Sequence, residues 1–218
     1  MNNFMLKRSR ATDALRAVYS VIYPNKCLFC RRVMDDKQAF VCLNCEFEIT
    51  SDEHYVENLN WLYIPYVYGD EVQHVVHRFK YGGAKALAKP MARAIYSRFP
   101  DVYGDFLLPV PLHPNRQRDR GFNQASELAL ELSLLLKIPA MDGLSRLRDT
   151  EKQFHLSREQ RASNLADAIG VKQGFDVVGK RIILVDDVFT TGSTAVECAK
   201  VLKSAGATHV DLIAFARA

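Results

Sequence analysis

Two adjacent acids followed by a cluster of hydroxyls are the residues of this sequence best placed to do chemistry. In Ile182 to Thr194, IILVDDVFTTGST, an apolar run leads to Asp186 and Asp187, and Thr190, Thr191, Ser193 and Thr194 flank Gly192. An apolar run ending in acid reads as a buried strand, and the hydroxylated loop leads into a helix. In open α/β sheets ligands bind beyond the carboxyl ends of the strands. A helix N-terminus offers unpaired N–H groups and partial positive charge, which suits a phosphate. The hydroxyls add donors, and Gly192 lets the backbone close around an anion. Two carboxylates do not bind phosphate directly, but they hold sugar hydroxyls or a magnesium ion. Phosphate at the helix with a polyol at the acids describes a ribose 5-phosphate site. A Walker A loop needs a lysine after its last glycine, and a dinucleotide fold needs G-x-G-x-x-G; neither is present. A purely structural turn has no use for two acids and four hydroxyls.

A second constellation lies near the N-terminus. Cys27-x-x-Cys30 and Cys42-x-x-Cys45 are separated by eleven residues. Two such pairs bring four thiolates around one tetrahedral zinc ion. The segment between them is too poor in apolar residues to build its own core, so a metal would supply the folding free energy. Two disulfides or a CxxC redox site are the competing readings. The first conflicts with a reducing compartment, and the second needs only one pair. Four cysteine ligands leave no open coordination position, so the expected role of zinc is structural. Cys198 stands apart at helical spacing among Ala195, Val196, Ala199, Val201 and Leu202 and is expected to be a small buried hydrophobe.

The basic residues are clustered although the net charge is only +4. Arg116, Arg118 and Arg120 lie close together, and Arg146, Arg148, Arg158 and Arg161 share a polar span. Each cluster taken alone is as consistent with a solvated face as with an anion site.

Elements must position these groups. The 218 residues, 48% hydrophobic and 25% charged, have the balance of a globular protein. No apolar run reaches the ~20 residues of a membrane-spanning helix. Near the N-terminus Asp13 and Arg16 interrupt the apolar positions, unlike a signal peptide, so a cytoplasmic protein is expected. Leu15, Val18, Tyr19 and Ile22 recur at helical spacing. Trp61 to Tyr68 is strand-like, with Pro65 marking an edge or a bulge. Helices are expected at 71–80 and 84–98, broken by Gly82-Gly83, then at 123–136 and 194–205. Strands are expected at 106–110, 181–187 and 209–216. Apolar strands alternating with helices specify an α/β fold, a parallel sheet covered on both faces. The division expected is a zinc-binding module at 1–60 and an α/β domain at 61–218.

Residues 182–194 resemble, at every position, the phosphoribosyl-pyrophosphate (PRPP) motif of type I phosphoribosyltransferases. PVPLHPNRQRDRGFNQA (109–125) is similar to the pyrophosphate-loop region of one branch, the ComF/ComFC family of competence proteins. LSRLRDTEKQFHLSREQRASN (144–164) and the four-cysteine N-terminus resemble the same branch. The likeness runs from about residue 20 to the end. It implies an open type I phosphoribosyltransferase-like sheet with an N-terminal zinc module.

By that resemblance Asp186 and Asp187 contact ribose hydroxyls, and Thr190, Thr191, Gly192, Ser193 and Thr194 cradle the 5-phosphate. The turn Val110, Pro111, Leu112, His113 faces pyrophosphate with Arg116 and Arg120, and Arg118 adds charge. Segment 146–164 corresponds to a mobile loop that brings Arg146 and Arg148 to the site on closure. His113 and His155 are expected to position or to lie at the surface. Implied cofactors are Zn2+, held structurally, and Mg2+, arriving with PRPP. The reaction implied is displacement of pyrophosphate at the anomeric carbon, through an oxocarbenium-like sugar. Purine transferases of the superfamily read the base with a segment after the last strand. Here an acceptor pocket would come from residues 61–100, the zinc module or a partner. The implied setting is uptake of transforming DNA beside a membrane-associated, ATP-driven translocase of the ComFA type, with single-stranded DNA as a further partner. A non-catalytic adaptor retaining the pocket as a sensor or relic is the rival expectation.

Overall fold

The computed structural model describes residues 26–34, 40–45, 56–81, 85–112, 114–146 and 169–218, without the side chains of Pro114 and Arg116. Its centre is an all-parallel sheet built from β1 (Leu62–Tyr63), β2 (Tyr66–Val67), β3 (Phe106–Pro109), β6 (Arg181–Phe189) and β7 (His209–Arg217). The order is β1 and β2 side by side along one edge of β7, then β6, then β3. A separate antiparallel pair joins β4 (Leu144–Arg146) to β5 (Ile169–Val171). The helices are α1 (Asp70–Tyr81), α2 (Ala88–Arg98), α3 (Pro114–Arg120), α4 (Gln124–Leu136) and α5 (Ser193–Ser204). Among the described residues no helix is long and apolar enough to cross a membrane.

The sequence explains these elements directly. On α1, Val72, Val75, Val76 and Phe79 recur at helical spacing and are buried, while Asp70 and Glu71 open the helix and Arg78 and Lys80 close it, matching its dipole. On α4, Asn123 caps the first turn by accepting the Ala125 N–H at 3.0 Å, and its own amide donates to the Val110 carbonyl at 3.1 Å. That second bond fixes the start of α4 to the carboxyl end of β3. Pro65, which has no N–H, divides the edge strand into β1 and β2.

β6 is buried on both faces, and its alternating residues enter two cores. Ile183 and Val185 pack with α1, α2 and α4, alongside Ile213 and Phe215 of β7. Ile182 and Leu184 pack with Ala195, Cys198, Ala199 and Leu202 of α5. Cys198 is fully buried, as its spacing predicts. The first core also includes Leu28 and Phe29 of the cysteine segment. The Phe29 ring meets Tyr66 edge-on at 5.1 Å and stacks with Phe215 at 6.3 Å.

The expected elements are present with small changes. β6 and β7 extend to Phe189 and Arg217, and the second helix begins at Ala88 after a 3-10 turn at Lys85–Leu87. Two differences are larger. Residues 114–120, read as part of a loop, form α3, and residues 144–146 form β4, at the start of the segment read as a mobile loop. The N-terminal helix expected around residues 15–22 lies outside the described residues.

Candidate phosphate and sugar site

The connections of the sheet part between β3 and β6. The chain leaving β3 passes through α3 and α4 to Ala140, which pairs with Leu107 on the side of β3 away from β6. The chain leaving β6 passes through α5 to β7 on the opposite side. A crevice opens where neighbouring connections diverge in this way, at the carboxyl ends of the strands. The Val110 N–H donates to the Val185 carbonyl at 2.9 Å, holding the end of β3 against the residue before Asp186.

Asp186 and Asp187 lie at that edge, but strand alternation sends their side chains to opposite faces. Asp187 is on the α1 side, where its Oδ2 lies 3.0 Å from the Lys80 ammonium in the last turn of that helix. Its side chain is 10% exposed and that of Lys80 is 22% exposed, so the ion pair is largely withdrawn from water. Asp186 is on the α5 side, and its Oδ1 accepts the Asp187 N–H at 2.8 Å. Burial pushes the Asp186 carboxyl well above the ordinary carboxylate range. The adjacent Asp187 charge adds to that push, while the N–H bond and Lys80 oppose it. Arg146, at the end of β4, and Asp186 both act electrostatically on the Cys198 thiol, which brings Arg146 to the α5 side of the same edge. Burial, before either charge, pushes that thiol up.

The loop after β6 turns at Gly192, whose φ of +72° lies in the left-handed region. A Cβ there would lie 2.5 Å from the Phe189 ring, so the glycine is required by the ring beneath the loop as well as by the turn. The Val196 N–H donates to the Gly192 carbonyl at 2.8 Å and opens α5. The amides between them, Ser193 to Ala195, are therefore the first-turn donors that an α-helix leaves without intrahelical acceptors, and that of Ser193 donates to Thr191 Oγ1 at 3.4 Å. The Thr191 and Ser193 hydroxyls are 2.8 Å apart, and Thr190 and Thr191 are exposed. An anion at this end would meet amides and hydroxyls together.

Among the expected site residues, the structure gathers Val110, Asp186, Asp187, the 190–194 loop and Arg146 around one edge. Pro111 and Leu112 continue from β3 and are half-buried. Arg120 is engaged beside this edge: it donates to Gln124 at 3.0 Å and to the Tyr81 hydroxyl at 3.3 Å, over the Tyr81 ring. Arg118 bonds Asn115. His113, Arg148, Arg158, Arg161 and His155 lie outside the described residues, as does the Arg116 side chain. Lys80 and Tyr81 escaped the sequence reading. Nothing local marks a lysine in a helical last turn as the partner of an edge acid, because that acid is a strand residue distant along the chain.

The four cysteines converge separately. The Sγ atoms of Cys27, Cys30, Cys42 and Cys45 all lie within 4.8 Å of one another, with Cys30 and Cys42 at 3.7 Å, and all four are free thiols. Sulfurs bound tetrahedrally at the usual zinc distance are roughly 3.8 Å apart, so the cluster fits one metal ion. The Cys42 N–H donates to Cys27 Sγ at 3.4 Å, and Arg31 turns the first pair with a φ of +63°. Burial pushes the Cys27 thiol up, but hydrogen bonds from the backbone of Cys42, Cys30 and Phe29 outweigh it and bring it down to about 7. Cys45 is pushed up to about 12 by burial and by the neighbouring thiols.

No protein-family model matches the chain. Among solved structures, the fold is similar to a glutamine PRPP amidotransferase from B. subtilis, with a TM-score of 0.42 and 23% identity over 63% of this chain and 30% of that one. It is also similar to an adenine phosphoribosyltransferase from Leishmania tarentolae, with a TM-score of 0.40 and 14% identity over 63% and 73%. Sequence relatives are nearer. Competence protein ComFC of Bacillus subtilis is 34% identical over 65% of this chain and 57% of its own length. DNA utilization protein YhgH of Escherichia coli K12 is 30% identical over 66% of each. Competence protein F of Haemophilus influenzae is 33% identical over 176 residues, 76% of this chain and 70% of the relative. At that identity and coverage, the chain belongs to the competence protein F (ComF) family.

Proposed function

We propose that this protein binds PRPP, or its ribose 5-phosphate portion, at the carboxyl edge of β3 and β6, and that it serves in the handling of DNA taken up by the cell. The observation that supports the reading best is the pairing of two edge acids with a hydroxylated, glycine-turned loop that opens α5, set where the sheet connections diverge. The ribose hydroxyls would meet Asp186 and Asp187, and the 5-phosphate would meet Thr190 to Thr194. Pyrophosphate would face Val110 to His113, with Arg116 and Arg120; Arg146 would add charge from the end of β4 and Arg148 from the segment that follows it. Arg120 would have to exchange Tyr81 for the ligand.

The family's DNA-related relatives support the second half of the proposal, with a ComFA-like translocase and single-stranded DNA as the partners proposed. The four cysteines would hold a structural Zn2+, fixing Leu28 and Phe29 against the sheet. Magnesium fits this site only as a companion of pyrophosphate. Asp187 already holds the Lys80 ammonium and Asp186 accepts a backbone N–H, so these acids do not present a vacant carboxylate cage.

The test is calorimetric titration of PRPP with magnesium into the wild type and into an Asp186→Asn, Asp187→Asn variant. Hydrogen bonds to charged groups contribute roughly 1.5–3 kcal/mol each and neutral ones about half, so the double variant, which keeps neutral acceptors, should lose about 1.5–3 kcal/mol in all and bind about tenfold to a hundredfold more weakly. A wild type that binds neither PRPP nor ribose 5-phosphate overturns the pocket reading and leaves the adaptor reading. Pyrophosphate release with candidate acceptors, with and without the translocase, then separates a transferase from a sensor.

A further inference from the structure

The contact between Lys80 and Asp187 has a consequence for the metal requirement of the pocket. We infer that the Lys80 ammonium takes the place of a protein-bound divalent cation on Asp187, so that the sugar-phosphate half of the pocket is complete without magnesium. The inference rests on the ribose 5-phosphate reading and adds a positioning residue to it.

Three observations carry it. The Nζ to Oδ2 distance of 3.0 Å is a direct ion pair, and both side chains are mostly buried. Separation from water makes such a pair hard to dissolve with salt and costly to break from one side. The pair lies at the ligand edge, one residue from Asp186, whose Oδ1 is occupied by the Asp187 N–H. The last turn of α1 is also tied to α3, because the Arg120 guanidinium donates to the Tyr81 hydroxyl at 3.3 Å and lies over its ring. Lys80 is therefore delivered to Asp187 by a helix end that is itself fixed. An ammonium so placed balances the charge of one carboxylate without a hydrogen bond to its Oδ2, leaving the other acceptor positions of the acids for sugar hydroxyls. A magnesium ion binds through one or two carboxylates with waters completing its octahedron, so to use Asp187 Oδ2 it would have to displace that ammonium. The pyrophosphate half differs, since a polyanion carries its own magnesium in solution.

The experiment uses the full chain and two probes, ribose 5-phosphate and Mn2+. Ribose 5-phosphate is titrated by calorimetry in EDTA and in millimolar magnesium, and Mn2+ binding to the ligand-free protein is followed by electron paramagnetic resonance. Wild type should bind ribose 5-phosphate with the same affinity in both buffers and should take up no Mn2+ at the acids. Lys80→Met keeps the aliphatic stem without the charge. It should bind ribose 5-phosphate about tenfold more weakly in EDTA, recover at least part of that loss in magnesium, and gain a Mn2+ signal that Asp187→Asn on the same background removes. Lys80→Arg should remain independent of magnesium. A general loss of packing would lower affinity in both buffers alike and would create no Mn2+ site. If wild type binds the sugar phosphate only with magnesium, or if Lys80→Met binds like wild type in EDTA, the inference about Lys80 fails while the pocket reading stands. If wild type does not bind the sugar phosphate in either buffer, both fail. Should Lys80→Met not fold, Lys80→Gln with the same two readouts decides in its place.

Discussion

Replacing Gly192 by alanine separates backbone strain from steric contact at the loop that opens α5. The φ of +72° is strained for any residue with a Cβ, by about 1–2 kcal/mol. The new Cβ would also lie 2.5 and 2.6 Å from two carbons of the Phe189 ring. That ring is 5% exposed and belongs to the core on the α5 side, so it cannot simply swing into water. Overpacking of this kind costs typically 1–3 kcal/mol more. Together Gly192→Ala should lose about 2–5 kcal/mol, where each 1.4 kcal/mol is a tenfold change in the unfolding equilibrium. Gly121 supplies the control. Its φ is +75°, nearly the same, but an added Cβ meets nothing within 4 Å among the described residues. Gly121→Ala should therefore lose only the strain, about 1–2 kcal/mol. Urea unfolding of the two variants and the wild type, compared at equal m-values, measures the difference. Equal losses for Gly192→Ala and Gly121→Ala would refute the argument that the Phe189 ring dictates this glycine.

Three further outcomes are expected. Freshly reduced protein should carry close to one zinc per chain by elemental analysis, and Cys27→Ser should lower that content and reduce hydrogen-exchange protection around Leu28 and Phe29, of which Phe29 packs on Tyr66 and Phe215. Arg181→Met should destabilise by about 3–5 kcal/mol in chemical denaturation, because Asp211 is fully buried and Arg181 binds its Oδ2 at 2.8 Å. Asp186→Asn should raise the melting temperature at neutral pH. Burial and Asp187 raise the native Asp186 carboxyl above its unfolded value, so its contribution is fully present below about pH 4 and is lost as pH rises through the raised native value. The advantage of the Asn variant over wild type should accordingly shrink on acidification.

The parts of the fold legible in the sequence are those that a single periodicity can specify. The buried run before Asp186, the apolar stripe of α1 and the Asn123 cap each signal their structure within a few residues. The hydroxylated loop is legible for the same reason, since its glycine, acids and hydroxyls are contiguous. Two CxxC pairs likewise place four thiols together, because a short closed loop leaves them few other arrangements. What escaped depends on contacts between distant segments. α3 follows Pro114 and is rich in arginine, with too few apolar residues to show a stripe. β4 and β5 are three residues each and pair across a long insertion. The Lys80–Asp187 pair joins a helix end to a strand end, and no local spacing encodes it. The glycine at 192 was legible as a requirement, but its cause was not: Phe189 reads as one more apolar residue until the loop is folded over it.

The alternation of β6 determines what a ligand at this edge must do. A strand buried on both faces is apolar at every position, so the sequence of the run conceals which core each residue enters. The two acids inherit that alternation. Asp187 belongs to the layer of α1 through Lys80, and Asp186 to the layer of α5, where it and Arg146 both act on the Cys198 thiol. A sugar held by both carboxylates would therefore tie the two helical layers across the end of the sheet. A phosphate on the α5 loop alone would engage only one of them. Adjacent acids at a strand end would thus do what a single acid cannot, because neighbouring residues of a regular strand face opposite layers. The helix delivering Lys80 is in turn joined to Arg120 through Tyr81. On the proposed reading, a polyanion that took Arg120 from Tyr81 would loosen the helix turn that also carries Lys80 to Asp187.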